Sequence, residues 1–291
     1  MARRRASALS LALVVLSLSG CAVSRGHAAP IATPPPTTAP TPTPKPTPRR
    51  TPTPTPVPTR SPKPKPSTTK RPTPTTTVQP AKLPQTGGSG PAGSRRSTGN
   101  ATVALTFDDG PDPVNTTRLL DLLKKNGVKA TFCVVGFRAR DNGDLIRRIV
   151  AEGHTICNHS WQHLMDLGQR TDEEIIKDLR ATNNAILKAA PNAKIKYFRA
   201  PGGNFTPRLV ALAKSLGMTS LYWSIDTRDW EHSVYGHGTT MVNHIISTVK
   251  TQTRPGAIVL SHDNGKPDTI TAYATLLPWL KPRFRLVALP A

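Results

Sequence analysis

Three short segments, far apart in the chain, carry residue types that could build one hydrolytic metal site. They are Thr106-Phe107-Asp108-Asp109-Gly110, His159-Ser160-Trp161-Gln162-His163 and Leu260-Ser261-His262-Asp263. The first offers two adjacent carboxylates, the second two imidazoles four residues apart, and the third an imidazole after an apolar run. One carboxylate with two histidines leaves a metal ion open positions for water and substrate. The second carboxylate and the third histidine are then free to act as base and acid. Two further segments, Arg199-Ala200-Pro201-Gly202-Gly203 and Asp226-Thr227-Arg228-Asp229-Trp230, add a cation, another carboxylate and an aromatic. Each piece alone has an ordinary reading as a turn or a solvated loop. Their joint occurrence is harder to explain that way.

The elements that must position these residues alternate along the second half of the chain. Apolar runs suited to strands cover Thr102–Phe107, Ala130–Val135, His154–Cys157, Ile195–Phe198, Thr219–Ser224, Ala257–Leu260 and Phe284–Leu289. Between them lie helical patterns at Val114–Asn126, Asp144–Glu152, Thr171–Ala190, Thr206–Gly217, Thr239–Thr251 and Thr269–Leu280. Thr171 with Glu174 makes a capping box, Pro207 suits a first helical turn, and Gly127 suits a C-cap. About seven strands alternating with helices imply an α/β fold of parallel strands, as a barrel or an open sheet. Asp108, Asp109, His159, Arg199, Asp226 and His262 all fall at or just past strand C-termini, the face on which barrels gather their sites.

The first third of the chain is different. Residues 1–20 read as an export signal, with Arg3, Arg4 and Arg5 before an apolar stretch from Leu9 to Leu18 that is short for a membrane span. Residues 21–97 read as a tether. Twenty-one of the chain's 31 prolines lie between Pro30 and Pro91, among Thr, Lys and Arg. Such a tract has little apolar surface to bury and is expected to stay unfolded. In extended polyproline form, at ~3.1 Å per residue, it reaches on the order of 200 Å. Residues 98–291 then form one folded domain. No Asp or Glu precedes Asp108, and residues 1–107 hold 15 of the 39 Lys and Arg, which leaves the rest 24 basic and 17 acidic residues, a net +7. The formal +22 therefore belongs mostly to signal and tether. With no basic patch interleaved with aromatics in the folded half, a nucleic-acid partner is not expected.

Leu18-Ser19-Gly20-Cys21 resembles the lipobox of bacterial lipoproteins, which implies a lipid on Cys21 and a membrane partner for it. Cys133 and Cys157 lack the spacing of a thiolate metal site. Outside the cell they could pair, and a disulfide and two buried thiols both remain open.

Over roughly residue 101 to the C-terminus, the five segments resemble the polysaccharide deacetylases with the NodB homology domain, carbohydrate esterase family 4. The resemblance implies a distorted (β/α) barrel of about seven parallel strands. It implies zinc, or another divalent transition metal, held by Asp109, His159 and His163. Asp108 would be the catalytic base, with Arg199 orienting and compensating it, and His262 the acid, tuned by Asp229. Trp230 and Leu260 would wall the acetyl pocket. The third motif departs from the family at Gly202, where an aromatic is usual. Its N–H could still help hold an oxyanion, and the lost ring bears on substrate choice.

The resulting expectation is a monomeric enzyme, lipid-anchored on the outer face of the cell membrane, that removes acetyl groups from peptidoglycan N-acetylglucosamine. A deacetylase or esterase acting on chitin or acetylxylan is the alternative. A wall-binding lipoprotein without catalysis is the alternative of another class.

Overall fold

The computed structural model describes residues 89–291. The signal, Cys21 and the Pro-rich tract through residue 88 lie outside the described residues. The folded body takes in residues 89–97, which composition groups with the tether. Arg95 bridges Leu221, Ser97 bridges Ala257, and Ser94 and Thr98 are buried.

Seven parallel strands follow the order β5-β4-β3-β2-β1-β7-β6. They are β1 (Val103–Asp108), β2 (Thr131–Val134), β3 (Thr155–Asn158), β4 (Tyr197–Phe198), β5 (Thr219–Ser220), β6 (Ile225–Asp226) and β7 (Ile258–His262). A further strand, β8 (Leu286–Val287), pairs in parallel with the start of β1. The edge strands β5 and β6 are separated by only four residues, 221–224. A link that short spans at most about 17 Å, so the sheet must curl until its edges approach. The result is the distorted barrel expected, left open between β5 and β6.

Helices α1 (Asn115–Asn126), α2 (Gly136–Asp141), α3 (Gly143–Ala151), α4 (Asp172–Ala189), α5 (Pro207–Ser215), α6 (His232–Tyr235), α7 (Thr239–Gln252) and α8 (Pro267–Leu280) connect the strands. The apolar stripes of the longer ones, such as α1, α7 and α8, pack on the outside of the sheet. In α1, Leu119, Leu120 and Leu123 are fully buried, and Gly127, at φ +63°, closes the helix by donating its N–H to Leu123 O and Lys124 O. The capping box of α4 is complete, with Thr171 Oγ1 accepting from Glu174 N and Glu174 accepting from Thr171 N.

Strand alternation sorts β1 into two sets. Val103, Leu105 and Phe107 join the large outer core with Leu119, Phe132, Val259 and Tyr273. Ala104, Thr106 and Asp108 point the other way, into the barrel. Ala104 packs there with Cys133, Cys157, Tyr197, Leu221 and Ile258. Cys133 and Cys157 are lateral partners on β2 and β3 and form a disulfide.

Two helices escaped the sequence pattern. The six residues of α2 include Arg138, Arg140 and Asp141 and bury only Gly136 and Ala139, so no apolar period announces them. The four residues of α6 bury none of their side chains. The run Thr219–Ser224, expected as one strand, is divided: β5 ends at Ser220 and the next residues carry the chain across to β6.

Candidate metal centre and its proton-transfer pair

Asp109 lies just beyond β1 and turns back over the barrel mouth at φ +75°. Ser160 and His163 also have positive φ, at 64° and 57°. Non-glycine residues rarely adopt this region, and such strain gathers at functional sites. Three of the five described non-glycine residues with positive φ thus fall in the two segments that offer metal ligands.

The strained turns converge. Asp109 Oδ1 sits 3.4 Å from His159 Nε2 and 3.3 Å from His163 Nε2. His159 Nδ1 lies 2.8 Å from the Arg199 carbonyl, which fixes that nitrogen as the donor and leaves the Nε2 lone pair facing the carboxylate. Asp109 Oδ1 is buried without a hydrogen-bond partner. A buried carboxylate oxygen between two imidazole nitrogens is a ligand set that fits a divalent transition metal of the zinc type. The charges agree. Burial alone would raise the Asp109 carboxyl, but the close His159 imidazole and the charges of His262, His159 and His163 outweigh it and hold the group well below the usual range. Burial would depress His159, and the carboxylates of Asp108 and Asp109 raise it instead. His163 goes down, through burial and then the neighbouring His159. Asp109 is thus held as a carboxylate and His163 toward the neutral imidazole, the forms in which each can act as a ligand.

Asp108, the last residue of β1, is held from the other side. Arg199 is fully buried and its Nη1 donates to Asp108 Oδ1 at 2.6 Å and to Thr106 Oγ1 at 2.9 Å. Nε and Nη2 of the same guanidinium donate to Leu221 O and Tyr222 O. Every arm of this buried cation is used, which fixes the carboxylate it faces. Asp108 Oδ2 points toward His159 Nε2 at 3.6 Å.

His262 ends β7. Its Nδ1 is 2.6 Å from Asp229 Oδ1, and its backbone N–H donates to Asp229 Oδ2 at 2.8 Å. Thr269 Oγ1 donates to that same oxygen at 2.6 Å. Burial by itself would lower the His262 pKa, but the Asp229 carboxylate pushes it up to about 9. This leaves a cationic imidazole with Nε2 free to donate.

The expected residues fall into two sets. Asp108, Asp109, His159, His163 and Arg199 form one connected cluster, and Asp229 and His262 form a pair joined to it through the β1–β7 register. Leu260 is buried on the inner row two residues below His262. Trp230 is 46% exposed beneath the Arg228 guanidinium and reaches the cluster only through its neighbour Asp229. Gly202 is exposed at φ +60°, in a turn closed by Gly203 N–H to Ala200 O and Asn204 N–H to Pro201 O. A Cβ there would meet Met165 Cε at 2.3 Å, so a methionine side chain covers the place that any larger residue would claim. Asp226 Oδ1 accepts from the Arg228 N–H.

The structure adds supports that the motifs did not single out. Asp263 is buried and accepts from Gly110 N at 3.1 Å and from Thr116 Oγ1, so it clamps the turn that carries Asp109. Burial pushes its carboxyl up to about 7. Its place beside His262 was the available signal. Asn158 Oδ1 accepts from Ser160 N, and Ser160 Oγ from His163 N, shaping the two-histidine turn. Thr269, forty residues from Asp229, gave no signal at all.

Comparisons with known proteins agree with this geometry. Residues 95–221 match the family model described as polysaccharide deacetylase. A chitooligosaccharide deacetylase of Sinorhizobium fredii is 36% identical over 209 residues, covering 67% of this chain and 94% of that protein. A peptidoglycan-N-acetylglucosamine deacetylase of Bacillus cereus is 36% identical over 183 residues, covering 62% of this chain and 81% of its own length. Among solved structures, a carbohydrate esterase family 4 pseudoenzyme of Bacillus anthracis superposes with a TM-score of 0.57 at 30% identity. That match covers 64% of this chain and 63% of the other.

Proposed function

The chain belongs to the polysaccharide deacetylase family, and from that premise we propose that it is a metal-dependent hydrolase removing acetyl groups from N-acetylated cell-wall polysaccharide. Peptidoglycan N-acetylglucosamine is the proposed substrate. The observation that carries the reading is the buried Asp109 Oδ1 between two imidazole nitrogens, with Asp108 and His262 flanking it on adjacent strands.

A divalent ion held by Asp109, His159 and His163 supplies, when bound, the charge that polarises an acetyl carbonyl and eases deprotonation of water. Asp108 accepts the proton of the attacking water, and the fully engaged Arg199 keeps that carboxylate aimed. The Gly202 N–H donates to the acyl oxygen as negative charge develops on it. His262, kept protonated by Asp229, gives its Nε2 proton to the departing sugar nitrogen. Leu260 walls the space for the acetyl methyl, and the exposed Trp230 is left to the rim beside Asp229. The products are acetate and a free amine on the sugar.

The choice of peptidoglycan rests on the likeness to the Bacillus cereus protein and on the sequence before the folded body. We place Cys21 as a lipid anchor on the outer face of the cell membrane, with the Pro-rich tract as the tether into the wall. Acetate release from peptidoglycan, chitin oligomers and acetylxylan, measured side by side, tests the substrate. Fastest turnover on acetylxylan would overturn the assignment. Cys21→Ser should move the protein out of the membrane fraction, and a variant that stays there would refute anchoring at that residue.

A second reading, a wall-binding protein without catalysis, has one observation behind it: the likeness to a solved pseudoenzyme. Against it stands the complete set of Asp108, Asp109, His159, His163, Arg199, Asp229 and His262. Absence of acetate release from every substrate in the panel would favour this reading.

A further inference from the structure

A second group of ligand-type side chains lies beside the catalytic pair and takes no part in the reaction above. His232 opens α6, His237 follows that helix, and Asp268 lies in the first turn of α8. A ligand atom from each falls within 4.8 Å of the others. Gly236 and Gly238, both at positive φ, flank His237. They turn the chain back so that the His237 ring stacks on His232, with centroids 4.1 Å apart.

The arrangement leaves one ligand atom of each residue close to the other two. His232 Nδ1 lies 3.1 Å from the Gly236 carbonyl, which sets that nitrogen as the N–H and leaves Nε2 with its lone pair. The Lys266 ammonium is 3.5 Å from His232 Nε2, so a cation already approaches that lone pair. Asp268 Oδ2 accepts from Gly238 N at 2.9 Å, which fixes the carboxylate and leaves Oδ1 available. Two imidazoles and a carboxylate oxygen suit zinc-type divalent ions better than magnesium or calcium. Backbone hydrogen bonds of this kind are the usual support that orients metal ligands.

We propose that His232, His237 and Asp268 form a second site for a divalent transition-metal ion, separate from the catalytic one. An ion there ties the loop that follows Asp229-Trp230 to the start of α8. Thr269, the next residue on that helix, donates to Asp229, so the ion would brace the rim that holds the catalytic acid. The proposal stands apart from the catalytic reading, because it uses none of the same ligands.

Zinc bound per full chain, measured by equilibrium dialysis with elemental analysis, tests it. Wild type should bind two ions. His237→Ala and His163→Ala should each lose one, and the double variant should hold neither. Lys266→Met should tighten the second site at least threefold, because the competing ammonium is gone. His237 is exposed, so its replacement should leave the metal-free melting temperature unchanged, which separates ligand loss from misfolding. Two ions retained by His237→Ala, or an unchanged affinity in Lys266→Met with one ion in wild type, would overturn the proposal. Loss of one ion in His237→Ala but none in His163→Ala would support it while counting against the catalytic ligand set alone.

Discussion

Asp108 and His262 are lateral partners on the adjacent parallel strands β1 and β7. Their side chains therefore leave the sheet on the same face, about one strand spacing of 4.8 Å apart at the backbone. Each is then specialised by a different buried partner. Arg199 Nη1 donates to Asp108 at 2.6 Å, and Asp229 holds His262 as a cation at 2.6 Å. Two groups so close, each given a different partner, suit the proposed roles of base and acid.

Removing either member should slow turnover without emptying the metal site, since neither belongs to the ligand set. Asp108→Asn and His262→Ala should each lower kcat by about 10² or more. Steady-state rates with metal analysis on the same samples check this. A variant that lost its ion but kept its rate per bound ion would reverse the roles.

The acid carries a pH signature. His262 donates only while protonated, and its folded pKa stands at about 9. Turnover should therefore hold through neutral pH and fall as pH rises through about 9. In Asp229→Asn the compensating charge is gone, so the alkaline limb should move to lower pH, toward an ordinary imidazole. The pH profile of kcat for both proteins decides it, and an unmoved limb would remove Asp229 from its proposed role. The same pair contributes stability that is complete below the unfolded pKa of about 6.5 and is lost as pH rises through about 9.

Gly202 is a conformational position as well as a missing ring. At φ +60° any L residue is strained, by about 1–2 kcal/mol, and its Cβ must displace Met165. Gly202→Ala should lower the melting temperature with little change in kcat. Gly202→Tyr should carry the same stability loss but improve KM for short oligomers by less than about tenfold, as one added aromatic contact is worth about 1 kcal/mol. Activity found only in the tyrosine variant would show that this position governs chemistry rather than binding.

The bond between Cys133 and Cys157 closes a loop across two neighbouring strands. In the chain-entropy account a loop with a sequence separation of 24 contributes about 3.5 kcal/mol. Non-reducing peptide mapping should find the two cysteines joined, and Cys133→Ala with Cys157→Ala should melt at a lower temperature. Two free thiols in the oxidised protein would contradict the pairing.

Long periodic elements are legible in the sequence itself. The leucines of α1, the capping box of α4 and the apolar run of β1 each carry local chemistry that admits one reading. The motif residues are legible because strand ends present them in a fixed order. What the sequence hides is set by tertiary contacts. The short α2 and α6 have no apolar period, and Thr269 meets Asp229 only because α8 returns across the barrel rim. The state of Cys133 and Cys157 depends on the strand register, which spacing alone does not give. Met165 above Gly202 is likewise a meeting of two loops that no local pattern announces.

Asp109, His159 and His163 are proposed to hold a metal ion without which no deacetylation occurs. Acetate release from one defined N-acetylglucosamine oligomer, before and after chelation and again after adding zinc, tests this most directly, with His159→Ala run in parallel. Activity should be lost on chelation and recovered with the ion in wild type, with no recovery in His159→Ala. Full activity in a metal-free wild type, or in metal-free His159→Ala, would contradict it.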